Sequence, residues 1–263
     1  MSPDIAYLAL LLDAPLQSWG FASRFQRRTT GLHPTKSGVI GLICAAMGLE
    51  KDSPKEHQKL PRLAGLLMDV VLLPRAKWWI RHAQSGRRSD WLEARRLEDY
   101  HTVGGGFDPE TDPKSVPRTA SGKPDKDATV SRREYLLDAR FGVILAGESD
   151  VLNEAANALL DPEWGIWLGR KSCIPATPVL VHIPFQSREK AWTALLIAAG
   201  LPLETPFGYF GGVEEVATPS EAHVTLMDKP VSFGDVTSSG PDKRQFAVRR
   251  IRVSPGSRLP LKE

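Results

Sequence analysis

The sequence predicts an α+β protein whose core runs β-α-β-β-α-β, with a long insertion inside it and a smaller β-rich region after it. Two observations predict the core. Apolar runs of strand length lie at 5–14, 63–74, 134–147 and 177–185, and segments with helical periodicity follow the first and the third of them. The third observation is the gap between the second and third runs. Residues 75–133 stand where a tight hairpin would suffice, a stretch too long for a plain loop.

Each element has its own justification. "IAYLALLLDA" (5–14) is almost continuously apolar, as in a strand covered on both faces, and Pro15 closes it. Thr35 offers a helix cap, after which Val39, Ile40, Leu42, Ile43, Ala46 and Met47 continue as a helix until Gly48. Gly38, Gly41 and Ala45 would let that helix lie close to a sheet. "LAGLLMDVVLLP" (63–74) reads as the second strand, ended by Pro74, and "EYLLDARFGVILAG" (134–147) as the third. "SDVLNEAANALLDP" (149–162) is an amphipathic helix capped by Ser149 or Asp150, and "TPVLVHIPF" (177–185) supplies the fourth strand. This order is the ferredoxin-like, or RRM-like, βαββαβ arrangement. It assigns 1–185 to a palm domain bearing the insertion 75–133, and 186–263 to a C-terminal β-rich region opened by the helical "SREKAWTALLIAAG". Gly, Pro, Ser and charge dominate 104–127, which predicts a flexible projecting tip.

An apolar fraction of 41% with 25% charged residues is that of an ordinary soluble chain, and no run approaches the roughly 18–20 apolar residues of a membrane span. Asp4 stands where a signal peptide carries positive charge, so a cytoplasmic protein is expected. Cys44 and Cys173, the two cysteines, have no His or Cys at ligand spacing, which argues against a disulfide framework or zinc knuckle, and no metal or cofactor is expected. The formal charge of +3 conceals local clusters. Between 20 and 38 lie Arg24, Arg27, Arg28 and Lys36 with no acid; between 75 and 96, Arg75, Lys77, Arg81, Arg87, Arg88, Arg95 and Arg96 face only Asp90 and Glu93.

A helix N-terminus exposes unpaired N–H groups and a partial positive charge, so Thr35, Lys36 and Ser37 with Arg27 and Arg28 just ahead form a natural phosphate doorway. The bland alternative is a plain cap with solvated cations. A nucleotide hydrolase is disfavoured, because no Gly precedes Lys36, Gly31 is one residue too close for a phosphate-binding P-loop, and no G-x-G-x-x-G follows a strand. "WGIWLGRKSCIP" (164–175) reads either as a glycine-rich loop approaching a polyanion or as a turn between helix and strand. "LEDYHTVGGG" (97–106) offers Tyr, His and Thr beside a hinge, suited to unpaired bases, or simply ends a strand.

Five stretches in series resemble one family: "LLLDAPLQSWG" (10–20), "PTKSGVIGLICAAMGL" (34–49), "DYHTV" (99–103), "SRREYLLDARFGV" (131–143) and "IWLGRKSCIP" (166–175), with "RQFAVRR" (244–250) similar to the family's C-terminal end. The family is that of the CasD subunits of Cascade, the type I-E CRISPR surveillance complex of antiviral defence. The resemblance implies an RNA-binding protein with a ferredoxin-like palm and a thumb, gripping the 5′ handle of the CRISPR RNA. It implies contacts with the backbone subunit CasC and the large subunit CasA; target DNA within the complex is a further candidate partner that these residues do not decide. Carried onto this sequence, Gln17 and Trp19 would line the mouth of the palm, and Thr35, Lys36 and Ser37 would hold handle phosphates with Arg27 and Arg28 near them. Tyr100, His101 and Thr102 would begin the thumb and meet bases, Arg133 would anchor its return, and Arg170, Lys171 and Ser172 would close over the RNA backbone. For Trp19 core packing is the competing role; for Arg133 it is a pair with Asp138 or Glu134. The tip 104–127 is longer than the family pattern, so the transfer stops at Val103.

A related branch of this superfamily cleaves repeat RNA with Tyr, His and Lys as acid and base, without metal. Tyr100 and His101 are the candidates for such an endoribonuclease, but neighbours on a strand point to opposite faces. In type I-E systems a separate subunit, CasE, cuts, so the resemblance implies a non-catalytic chain.

Overall fold

The computed structural model describes residues 4–20, 26–75, 95–103, 129–234 and 244–254. Strand β1 (Ile5–Asp13) is central in the way its continuous apolar run requires. Ala6, Leu8, Leu10 and Leu12 point into one apolar cluster, while Ala9 and Leu11 point into a second on the opposite face. β1 pairs antiparallel with β7 (Arg140–Glu148), and β7 pairs antiparallel with β4 (Leu67–Leu72). Beyond β4 the same sheet continues through β8 (Gly212–Glu215), β10 (Gln245–Ser254) and β9 (Val224–Ser232), giving six strands in the order β1-β7-β4-β8-β10-β9. The protein is thus α+β with a mixed architecture of helices on an antiparallel sheet.

Helix α1 (Lys36–Ala46) begins where the sequence places it, with the Thr35 hydroxyl accepting from the Gly38 N–H at 3.2 Å. Gly38 is there for space as well: a side chain would meet the Trp19 ring at 2.9 Å. Helix α3 (Ser149–Leu160) shares this face, and α4 (Arg188–Ala199), capped by Ser187, covers the other with Ala191, Trp192 and Leu195.

Four expectations need correction. Helix α2 (Pro54–Gly65) precedes β4, so the run read as a strand from 63 starts about one turn too soon; Leu63 and Gly65 still belong to the helix. The third run is two strands, because at Asp138, which adopts a left-handed φ of 53°, the chain leaves β6 (Thr129–Leu137) and runs on into another sheet as β7, keeping one register against residues 5–17. Residues 177–185 lie antiparallel to β1 but hold only isolated bridges, Tyr7 to Phe185 and Leu10 to Leu180. Pro178 and Pro184 remove ladder donors from that segment. Finally, α3 takes Glu148 as its cap without a side-chain bond, not Ser149 or Asp150.

Within the expected insertion, β5 (Arg95–Val103) and β6 form an antiparallel ribbon in register from Arg95–Leu137 to Val103–Thr129. The two-residue strands β2 (Leu16–Gln17) and β3 (Arg27–Arg28) flank β6 and complete a second, smaller sheet. The expected tip 104–127, and Arg24, Lys77, Arg81, Arg87 and Arg88, lie outside the described residues.

Candidate nucleic-acid interface

An open cleft of about 500 Å³ forms where the start of α1, the segment after β2, β3, the loop 165–173 and the β9–β10 hairpin converge. Five expected residues, Trp19, Arg28, Thr35, Ser37 and Arg170, line it. The loop reaches it through Gly169. Its φ of +102° is a backbone region that side chains resist, and an added Cβ would run into the Ser18 carbonyl. With Leu168 accepting from the Ser18 N–H at 3.0 Å, the loop is docked flat on the strand end.

Docking sets Arg170. Its Nη1 donates to the Glu134 carbonyl and its Nη2 to the Arg28 carbonyl, both at 2.8 Å, and its guanidinium lies 4.7 Å above the Tyr135 ring. A guanidinium has five donors in a fixed fork, so two carbonyls orient it without exhausting it. The Arg28 side chain is exposed and has no hydrogen-bond or ion-pair partner among the described residues.

Lys36 contradicts its expected role. Its side chain is 0% exposed and Nζ donates to both Glu215 oxygens at 2.8 and 2.9 Å. Burial pulls this ammonium below its ordinary pKa while Glu215 opposes the shift. The helix start is also partly filled from within: the Lys36 N–H donates to Asp228 Oδ2 at 2.9 Å, and Arg249 grips that buried carboxylate through Nε at 2.8 Å and Nη2 at 2.7 Å. Of the first three amides, Thr35 takes Gly38's and Asp228 takes that of Lys36, leaving the N–H of Ser37, a residue of the cleft lining. The chain supplies its own anion where an external phosphate was expected.

Gln17 and Trp19 are likewise structural. Gln17, 0% exposed, donates to the Leu12 and Ala139 carbonyls at 3.0 and 2.7 Å and accepts from Trp19 Nε1 at 3.0 Å. Trp19 is 1% exposed in the core beside α1, so the packing role wins even though its residue borders the cleft.

A family model described as "CRISPR-associated protein (Cas_Cas5)" matches residues 7–252. The chain belongs to the CRISPR-associated Cas5 family. Among curated proteins, this Cas5 chain is 30% identical over 181 residues to "CRISPR system Cascade subunit CasD" of Escherichia coli (strain K12), covering 67% of this chain and 70% of that one. A solved structure named "CRISPR RNA-guided surveillance complex" superposes with a TM-score of 0.65 at 27% identity, covering 95% of this chain and 90% of the other.

The remaining expected residues of this Cas5 protein are not in the cleft lining but on the neighbouring ribbon, on β3 and on the loop 165–173. Tyr100 is 59% exposed under the Arg132 guanidinium, 5.0 Å from its ring. His101 faces the other side, with Nε2 2.8 Å from Asp99 Oδ2 and 3.4 Å from the Tyr135 hydroxyl. Ser172 reaches the same hydroxyl at 3.5 Å, so Tyr135 links the loop to the ribbon. Thr102 and Lys171 are exposed, Lys171 lying 5.9 Å from the Trp167 ring. Arg27 pairs with Glu134 at 3.4 Å and Glu98 at 3.8 Å. Arg133 binds Ser131 Oγ at 3.1 Å and neither Asp138 nor Glu134.

Sequence reasoning missed the wall opposite: Met227, Phe233, Arg244 and Phe246. "RQFAVRR" held the signal, a basic and aromatic strand, but nothing in its neighbouring letters says that it lies beside the start of α1. Cys44 and Cys173 are free and buried, and burial raises both thiols, Cys44 to about 12, so neither is a nucleophile. Among the described residues no helix is long and apolar enough to cross a membrane.

Proposed function

We propose that this Cas5 chain is a non-catalytic subunit of a cytoplasmic, Cascade-type surveillance complex and grips the 5′ handle of the CRISPR RNA. The similarity to a Cascade CasD subunit supplies the class of assembly. The observation that carries the binding role is Arg170, oriented by two carbonyls over a cleft that also presents the exposed Arg28, the Ser37 N–H and two hydroxyls. Such an array of charge-assisted donors suits the phosphates of a single strand passing through an open groove.

In this reading the strand order of 177–185, β1, β7 and β4 is a ferredoxin-like palm spanning 1–185, the β5–β6 ribbon is the base of its thumb, and 186–263 closes the cleft. Tyr100, His101 and Thr102 meet bases on the exposed ribbon. Lys171 and Ser172 border the RNA path beside Arg170, and Arg133 steadies the return of the ribbon. CasC and CasA are the neighbouring subunits.

The test is handle RNA titrated against the full chain at several salt concentrations. Each phosphate contact contributes about one unit of slope in log K against log salt, so Arg28→Ala and Arg170→Ala should each reduce the slope by about that amount. Unchanged slopes in both variants would remove the groove from this cleft.

A further inference from the structure

We propose that the C-terminal wall of the cleft is a nucleobase subsite: Phe233, Phe246 and Met227 take one unstacked base of the guide RNA while the opposite wall holds its phosphates. This rests on the reading of the cleft as an RNA groove and adds which part of the nucleotide meets which wall. The lining combines two chemistries by element: Arg28, Thr35, Ser37 and Arg170 come from β3, the start of α1 and the loop 165–173, whereas Met227, Phe233, Arg244 and Phe246 come from the β9–β10 hairpin.

A phosphate gains nothing from aromatic rings and a thioether, whereas every base has a face that stacks on them without regard to sequence. Met227 is 62% exposed and Phe233 and Phe246 are half-buried, so this apolar surface opens to the cleft. It is also held in place. Phe233 packs over Gly41 of α1, its ring 3.6 Å from where a side chain there would begin. The hairpin is fastened to the start of α1 by Asp228, whose charge Arg249 neutralises, so the subsite does not repel an anion passing beside it. A volume of about 500 Å³ lies within the roughly 300–1,000 Å³ of small-ligand clefts, room for one nucleotide unit at a time.

An abasic scan of the handle RNA against the full chain tests the subsite. Removing the base at one position should weaken binding roughly tenfold, the scale of one base–aromatic stack, at an unchanged salt slope. In Phe233→Ala or Phe246→Ala the same abasic site should add no further loss, as coupled partners require. Phe246→Leu, which keeps an apolar side chain, should show the same absence of further loss with an unchanged thermal midpoint. Intact RNA that binds with a flat scan, or losses that simply add, overturns the subsite and leaves the groove standing. Failure of intact RNA to bind sinks both. Adenosine monophosphate binding as tightly as the RNA, or a partner protein crosslinked at position 246 in the assembled complex, also overturns it.

Discussion

Burying an ammonium costs several kcal/mol unless a carboxylate meets it, and at Lys36 both Glu215 oxygens do. Lys36 therefore fastens α1 to β8, and its charge is spent inside the protein. Lys36→Met should strand the Glu215 carboxylate and cost about 3–5 kcal/mol in urea unfolding. Adding Glu215→Gln should restore much of that, since a neutral amide oxygen still accepts the Met68 N–H that Glu215 Oε2 now takes at 3.0 Å. The double variant should keep the RNA salt slope. A flattened slope at undiminished stability would put Lys36 back in the groove. Asp228 makes the same point from the acidic side. Nothing near position 228 in the sequence announces that its carboxylate will sit at the first amide of a helix nearly two hundred residues earlier.

Among elements, the loop 165–173 matters most, because its docking aims Arg170. Gly169→Ala asks a residue with a Cβ to hold φ near +102° against the Ser18 carbonyl. The expected cost is about 1–3 kcal/mol, together with an RNA affinity lowered as far as in Arg170→Ala, because the lifted loop loses the carbonyls that orient the guanidinium. Gly208→Ala is the control: it too has a positive φ, 72°, but open space around it, so it should cost stability and spare affinity. Wild-type affinity in Gly169→Ala would mean the docking does not aim Arg170. The elements themselves were unevenly legible. The cap at Thr35 and the apolar run of β1 are local signals and are visible in the string. Helix α2 was not recognised, despite Ser53 and Pro54 at its start, because Pro61 and a polar composition mask its period. The break at Asp138 hid inside an unbroken alternation, since the chain runs on from β6 into β7 in one register against residues 5–17 and changes sheet without changing direction.

At the scale of the whole molecule, Tyr100 and His101 sit on opposite sides of β5, the former under Arg132 and the latter tied to Asp99 and Tyr135. No single phosphate is reached by both as acid and base. Full-length protein incubated with repeat RNA in chelator should leave it intact, and His101→Ala should change nothing. Cleavage at one position, abolished in His101→Ala, would replace the binding role with an endoribonuclease. The sequence alone determined the α+β class, the apolar strands, the cap of α1 and the family, because these reside in periodicity and in runs of adjacent residues. Only the tertiary structure decided which cations are free and what faces them. Charge pairing and wall building depend on residues far apart in the chain, such as Lys36 with Glu215, or Arg28 and Phe246 lining one cleft, and such long-range choices leave no mark on neighbouring letters.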